Sequence, residues 1–160
     1  MAVEKTADVI LKGTTSRRNK GMAVIEELIR EEENGSLSFG NYELAAKTKK
    51  DGFLYMGDSY KIKTFNEITK LEKNGSFVYE SVPGTVVHEF RANAERIEFT
   101  VEGNKDAQVT LELEPEQEYK IFINDVYVDK MKTNLGGKLI LSAPLEETDK
   151  ISVVIEKVDE

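Results

Sequence analysis

Glu118-Tyr119-Lys120-Ile121-Phe122-Ile123-Asn124-Asp125-Val126-Tyr127-Val128-Asp129-Lys130-Met131-Lys132-Thr133-Asn134-Leu135-Gly136-Gly137-Lys138-Leu139-Ile140-Leu141 reads as three antiparallel strands joined by two turns. Asn124 and Asp125 stand between two β-branched runs, and this pair tolerates the positive φ that a two-residue hairpin loop demands. Asn134, Gly136 and Gly137 supply the same backbone freedom at the next reversal. The stretch specifies a sheet, and no catalytic motif lies in it.

Outward from this stretch the same grammar recurs. Residues 68–81 form a second hairpin around Asn74-Gly75, with Leu71 expected opposite Val78 and Glu72 opposite Phe77. Val82-Pro83-Gly84-Thr85 reads as a type II turn, with proline fixing φ and glycine taking positive φ. Residues 85–90 place Val86, His88 and Phe90 on one face. Ile97, Phe99 and Val101, then Val109, Leu111 and Leu113, and finally Ile151, Val153 and Ile155 alternate cleanly inward. Further short strands are expected at 7–12, 36–39, 42–46, 53–56 and 60–65, with a charged connection at 47–51. The helical period enters once, where Ile25, Leu28 and Ile29 make a short amphipathic helix over 22–33 ended by Asn34-Gly35. The expectation is a mainly β chain: an antiparallel β-sandwich, immunoglobulin-like or jelly-roll-like, with one short N-terminal helix.

At 160 residues the chain fits one compact domain that buries its own core without staples. It divides into a basic N-terminal arm, residues 1–21, and a sandwich domain, residues 22–160, with a division into two sub-layers near 92–95. Five basic side chains against two acids leave the arm at +3 and the other 139 residues at −11. An acidic body repels phosphate backbones, so no nucleic acid is expected as the main partner. There is no cysteine, which removes disulfides, thiolate metal sites and a cysteine nucleophile. No apolar run reaches membrane-span length and no signal peptide is read, so a cytoplasmic location without membrane contact is expected. Many short strands leave edges to be covered or used, and a homo-oligomer through a sheet edge or the N-terminal arm is an expected partner state.

Candidate chemistry is thin. His88 is the only histidine, and its place in phase with Val86 and Phe90 fits a partly buried structural residue better than a ligand to metal. Acidic loops at 102–116 and 146–149 carry oxygens that could serve calcium, but no D-x-D-x-D-G spacing organises them, and neither a metal nor a cofactor is expected. A glycosidase needs two carboxylates across one cleft, usually with aromatic platforms for the sugar. There is no tryptophan, and Phe77, Phe90, Phe99 and Phe122 belong more economically in the core. Of the tyrosines that could form a stacking surface, Tyr42, Tyr60, Tyr79 and Tyr127 are, with His88, the ligand-binding candidates. The G-x-S-x-G, P-loop and Rossmann glycine patterns are all missing.

Residues 22–158 resemble a family of short clostridial-type bacterial proteins that bear the name endosialidase. The resemblance runs through Gly-Asn-Tyr-Glu-Leu at 40–44, Lys-Thr-Phe-Asn-Glu-Ile-Thr-Lys-Leu-Glu-Lys-Asn-Gly at 63–75, Phe-Val-Tyr-Glu-Ser-Val-Pro-Gly-Thr at 77–85 and Met-Lys-Thr-Asn-Leu-Gly-Gly-Lys-Leu at 131–139. It implies a glycan-binding or glycan-processing role. The Ser-x-Asp-x-Gly-x-x-Trp boxes of propeller sialidases do not occur, so no catalytic residue follows from it. Residues 113–155 also resemble the immunoglobulin-like or transthyretin-like modules that accompany bacterial carbohydrate-active proteins, which implies fold more than function. The functional expectation is a non-catalytic binding, structural or self-assembly module, with a glycan-binding or glycan-processing protein as the alternative.

Overall fold

The computed structural model describes residues 24–159, so the basic arm, its expected strand at 7–12 and Met22 lie outside the described residues. Within that range two antiparallel sheets face each other. One sheet has seven strands in the order β1 (Ile29–Glu31), β2 (Leu37–Phe39), β7 (Val86–Ala92), β8 (Arg96–Glu102), β13 (Lys150–Lys157), β10 (Glu118–Ile123) and β11 (Val126–Lys132). The other has six, in the order β12 (Lys138–Ala143), β9 (Ala107–Glu112), β6 (Ser76–Val82), β5 (Ile68–Lys73), β4 (Asp58–Phe65) and β3 (Thr48–Tyr55). The chain is mainly β and sandwich-like, as its alternation predicts. Residues 92–95 do not separate two sub-layers: they form the reversal between β7 and β8 inside one sheet, and the chain crosses between sheets six times.

Three of the four two-residue hairpins follow from turn chemistry. Asn124 and Asp125 adopt φ of 51° and 67°, Asn74 and Gly75 adopt 51° and 82°, and Met56 and Gly57 adopt 51° and 83°. Positive φ at both central residues is the signature of the turn whose twist matches that of paired strands. Alternation then buries Ile97, Phe99 and Val101 of β8, Val109 and Leu111 of β9, Leu139 and Leu141 of β12, and Ile151, Val153 and Ile155 of β13 in one inter-sheet core. At its centre Tyr79 meets Phe39 and Phe99 edge-on, with ring centroids 5.3 and 6.0 Å apart. Each such side chain taken fully out of water contributes about 1.5–3 kcal/mol.

The sequence reading fails where the backbone departs from regular geometry. Among the described residues of the expected 22–33 segment no helix forms: residues 25–28 make a turn in which Leu28 takes φ +75°, β1 follows, and Asn34-Gly35 reverses the chain into β2. The short helix among the described residues is α1 (Leu145–Thr148). Residues 42–46 form no strand, whereas the charged 47–51 stretch enters β3, bulged between Lys50 and Phe53. A bulge between Leu71 and Glu72 sets Tyr79 rather than Val78 opposite Leu71, while Glu72 does face Phe77. A third bulge, with Glu89 at φ +56°, splits the expected face of β7: Phe90 joins the core, and Val86 and His88 point outward toward Glu102 and Thr100 of β8.

Phe77 and Phe122 are also outside the core. They lie on outer sheet faces, Phe77 beneath Lys138 at 4.7 Å and Phe122 against Tyr127 at 5.8 Å. Residues 82–85 are not a type II turn: the Val82–Pro83 bond is cis and Gly84 does not take positive φ. Glycine is required at 84 because a Cβ there would collide with the Phe65 carbonyl. Gly40 is required for two reasons, its φ of +104° and a Thr85 carbonyl oxygen only 2.5 Å from where a Cβ would stand.

Candidate functional site

A cleft of about 340 Å³ opens between the sheets at one end of the sandwich. Its first wall is the β3–β4 hairpin, whose inward positions beside the Met56–Gly57 turn are Tyr55 and Tyr60. Their rings meet edge-to-face at 5.7 Å. The Tyr55 hydroxyl donates to the Gly35 carbonyl at 2.6 Å, tying this hairpin to the β1–β2 reversal in the other sheet. Burial raises the pKa of both phenols, helped by the charge of Glu31 at Tyr55 and of Asp58 at Tyr60, so both remain protonated donors at neutral pH.

The second wall is the β7–β8 reversal. Asn93 organises it, its side-chain oxygen accepting from the amides of Glu95 and Arg96 at 2.8 and 2.9 Å. This places Phe90 at the floor and Arg91 and Arg96 at the rim, opposite the tyrosines. Arg96 is held by Glu98 at 3.2 Å and Glu156 at 2.6 Å. Lys73, on the first wall, is held by Asp58 at 3.7 Å. Arg91 donates to the Asn34 carbonyl at 3.3 Å and, among the described residues, pairs with no carboxylate. The lining therefore combines an aromatic wall, hydroxyl and amide groups, and one guanidinium without an acid.

Such a lining can bind, and its volume lies in the range of small-molecule sites. It holds no histidine, serine or threonine, and both its carboxylates, Asp58 and Glu98, are engaged by cations. Among the described residues no three His, Asp or Glu side chains converge so as to hold a metal ion. No helix in that range is long and apolar enough to cross a membrane.

No known protein family, curated protein or solved structure matches the chain.

The five residues singled out in the sequence do not converge. Only Tyr60 lines the cleft. Tyr79 is fully buried, its hydroxyl hydrogen-bonded with Thr85 Oγ1 at 2.8 Å, and has no surface to offer a ligand. Tyr127 is exposed on the edge strand β11. Tyr42 is half-buried near the carboxylates of Glu102, Glu43 and Asp149, and burial with these charges pushes its phenol up to about 12. His88 is buried on the outer side of the seven-stranded sheet, 3.9 Å from Glu102. Burial pushes the Glu102 carboxyl up to about 7 and the His88 imidazole down. That pair sits at the far end of β8 from Arg96, about 20 Å along the strand, beyond reach of anything held in the cleft.

Reading the sequence missed Arg91 and Arg96 and gave Tyr55 no special weight. A signal was present: the chain has five arginines, and two of them flank one short Ala-Asn-Ala-Glu reversal in an otherwise acidic body.

Proposed function

We propose that this protein is a non-catalytic binding module and that the cleft between the β3–β4 hairpin and the β7–β8 reversal holds its ligand. The observation that carries this reading is the convergence of Tyr55 and Tyr60 with Arg91 across a cleft of about 340 Å³ whose carboxylates are already paired. Tyrosine faces with guanidinium, amide and hydroxyl donors suit a hydroxylated ligand, and a glycan is the class that fits the lining best.

A glycan array followed by NMR titration tests it. Binding should shift the resonances of Tyr55, Tyr60 and Asn93 and be lost in Arg91→Ala, whose melting temperature should stay that of the parent. Shifts confined to other surfaces would reject the site. Sugar release by the pure protein would reject the non-catalytic reading.

Self-association through a sheet edge is a second reading, favoured by β11, where Val126, Tyr127 and Val128 stand exposed on an edge strand. Light scattering at a mass twice that of the chain would support it.

A further inference from the structure

The outer face of the six-stranded sheet carries a charge arrangement that the cleft does not use. Lys49, Lys63 and Lys70 are direct cross-strand neighbours on β3, β4 and β5. Strands lie about 4.8 Å apart, so three ammonium groups share one row about 10 Å long. Lys61 stands two residues along β4 on the same face, about 7 Å from Lys63. Like charges directly opposite in a sheet are destabilising, and a face kept charged only for solubility would interleave the signs. Here four lysines with Glu72 line a shallow pocket of about 60 Å³ on a chain whose net charge is −8.

The acids nearby do not neutralise the row. Glu72 lies opposite Lys61 and reaches Lys70 at 3.5 Å, and Glu80 lies opposite Lys70 on β6. Among the described residues Lys49 and Lys63 pair with no carboxylate. Lys63 sits deepest in the conflict: burial lowers its pKa, the charges of Lys47, Lys70 and Lys49 lower it further, and only Glu80 opposes them.

We propose that this lysine row is a binding site for an anion bearing two or more adjacent phosphate groups. Ammonium groups are compact point charges that suit phosphate oxygens without demanding the planar fork geometry of arginine. The pocket itself is lined by ammonium groups and one carboxylate, so recognition rests on the phosphates, while Phe77 on β6 shares the same outer face, opposite Glu72 and 5.8 Å from the Lys70 ammonium, where a base could add a stacking contact. Bridging Lys49, Lys63 and Lys70 with one multivalent anion replaces mutual repulsion by attraction, which a monovalent ion cannot do for all three.

Calorimetric titration with inorganic tripolyphosphate at low salt tests the proposal, with a nucleoside triphosphate as a second arm. Tripolyphosphate should bind, lose affinity as salt rises, and bind about five- to tenfold more weakly to Lys63→Gln. Equal affinity in the two arms assigns recognition to the phosphate chain, and tighter nucleotide binding assigns the anion's source to nucleotides. Without ligand, Lys63→Gln should melt higher than the parent at low salt, because one repelling charge is gone. The proposal is overturned if tripolyphosphate does no more than sodium chloride of equal ionic strength, or if Lys63→Gln and Lys49→Gln bind it as the parent does.

Discussion

His88 Nε2 and Glu102 Oε1 face each other at 3.9 Å, both buried, and neither has a hydrogen-bond partner among the described residues. Burial penalises the charged form of each, raising the carboxyl to about 7 and lowering the imidazole, while Lys150 on β13 favours ionised Glu102 and Asp149 and Glu43 oppose it. The signs are opposite in their effect on stability. Glu102, raised, favours the folded state fully below its unfolded pKa near 4.5, and that contribution is lost as pH rises through about 7. His88, lowered, contributes above its unfolded pKa near 6.5, and its share is lost as pH falls through the folded value. Glu102→Gln should therefore melt higher than the parent at pH 8, by about 1–2 kcal/mol of stability, and show no gain at pH 4.5. Thermal melts of both proteins at the two pH values check this, and a gain of equal size at both would contradict it.

Gly40→Ala should destabilise the fold by at least about 2 kcal/mol, because the new methyl meets the Thr85 carbonyl and the backbone stays at φ +104°. Gly35→Ala is the control. Its φ of +87° is similarly unfavourable but nothing lies within 4 Å of the added carbon, so urea denaturation should show a smaller loss.

Tyr79→Phe isolates one buried hydroxyl. Thr85 Oγ1 keeps a second partner, Ser81 Oγ at 2.8 Å, so no polar group is orphaned. The expected loss is about 1 kcal/mol, against about 3–5 kcal/mol for Tyr79→Ala, which also leaves a cavity beside Phe39 and Phe99. Denaturant midpoints with unchanged m-values would confirm the comparison.

The Asn124–Asp125 turn makes a paired prediction. Asn124 Oδ1 accepts from the Ser152 amide at 2.9 Å, fastening the β10–β11 hairpin to β13, so Asn124→Ala should cost about 1–2 kcal/mol. Asp125 makes no such bond and holds φ +67°, so Asp125→Gly should stabilise by about 0.5–1 kcal/mol. Opposite shifts in melting temperature from adjacent substitutions are the expected result.

What could be read from the residues depended on whether the information was local. Turn chemistry at Asn74-Gly75 and Asn124-Asp125 and two-residue alternation through β8, β9, β12 and β13 are carried by neighbours in sequence, and they gave the architecture. The bulges at Val78 and Glu89 carry no residue signature, yet each moves the side chains beyond it to the other face, which is how Phe90 entered the core and His88 left the face assigned to it. The Ile25, Leu28, Ile29 spacing is ambiguous in principle. A turn followed by a strand buries Ile25 and Ile29 as well as a helix would, and the φ of +75° at Leu28 rules the helix out. The cleft was illegible for a different reason. Tyr55 and Arg91 lie far apart in the chain and meet only because β3 stacks beside β1, a relationship set by the packing of whole sheets.

The place of β13 has a consequence for how the molecule comes into being. It is the last strand described, yet it lies in the interior of the seven-stranded sheet, hydrogen-bonded to β8 on one side and β10 on the other. Until residues 150–157 leave the ribosome, the β1–β2–β7–β8 part and the β10–β11 part of this sheet share no hydrogen-bonded ladder, and each presents an unpaired strand edge. Assembly must therefore wait for the end of this segment's synthesis, and a nascent chain halted before it should depend on chaperones to stay unaggregated.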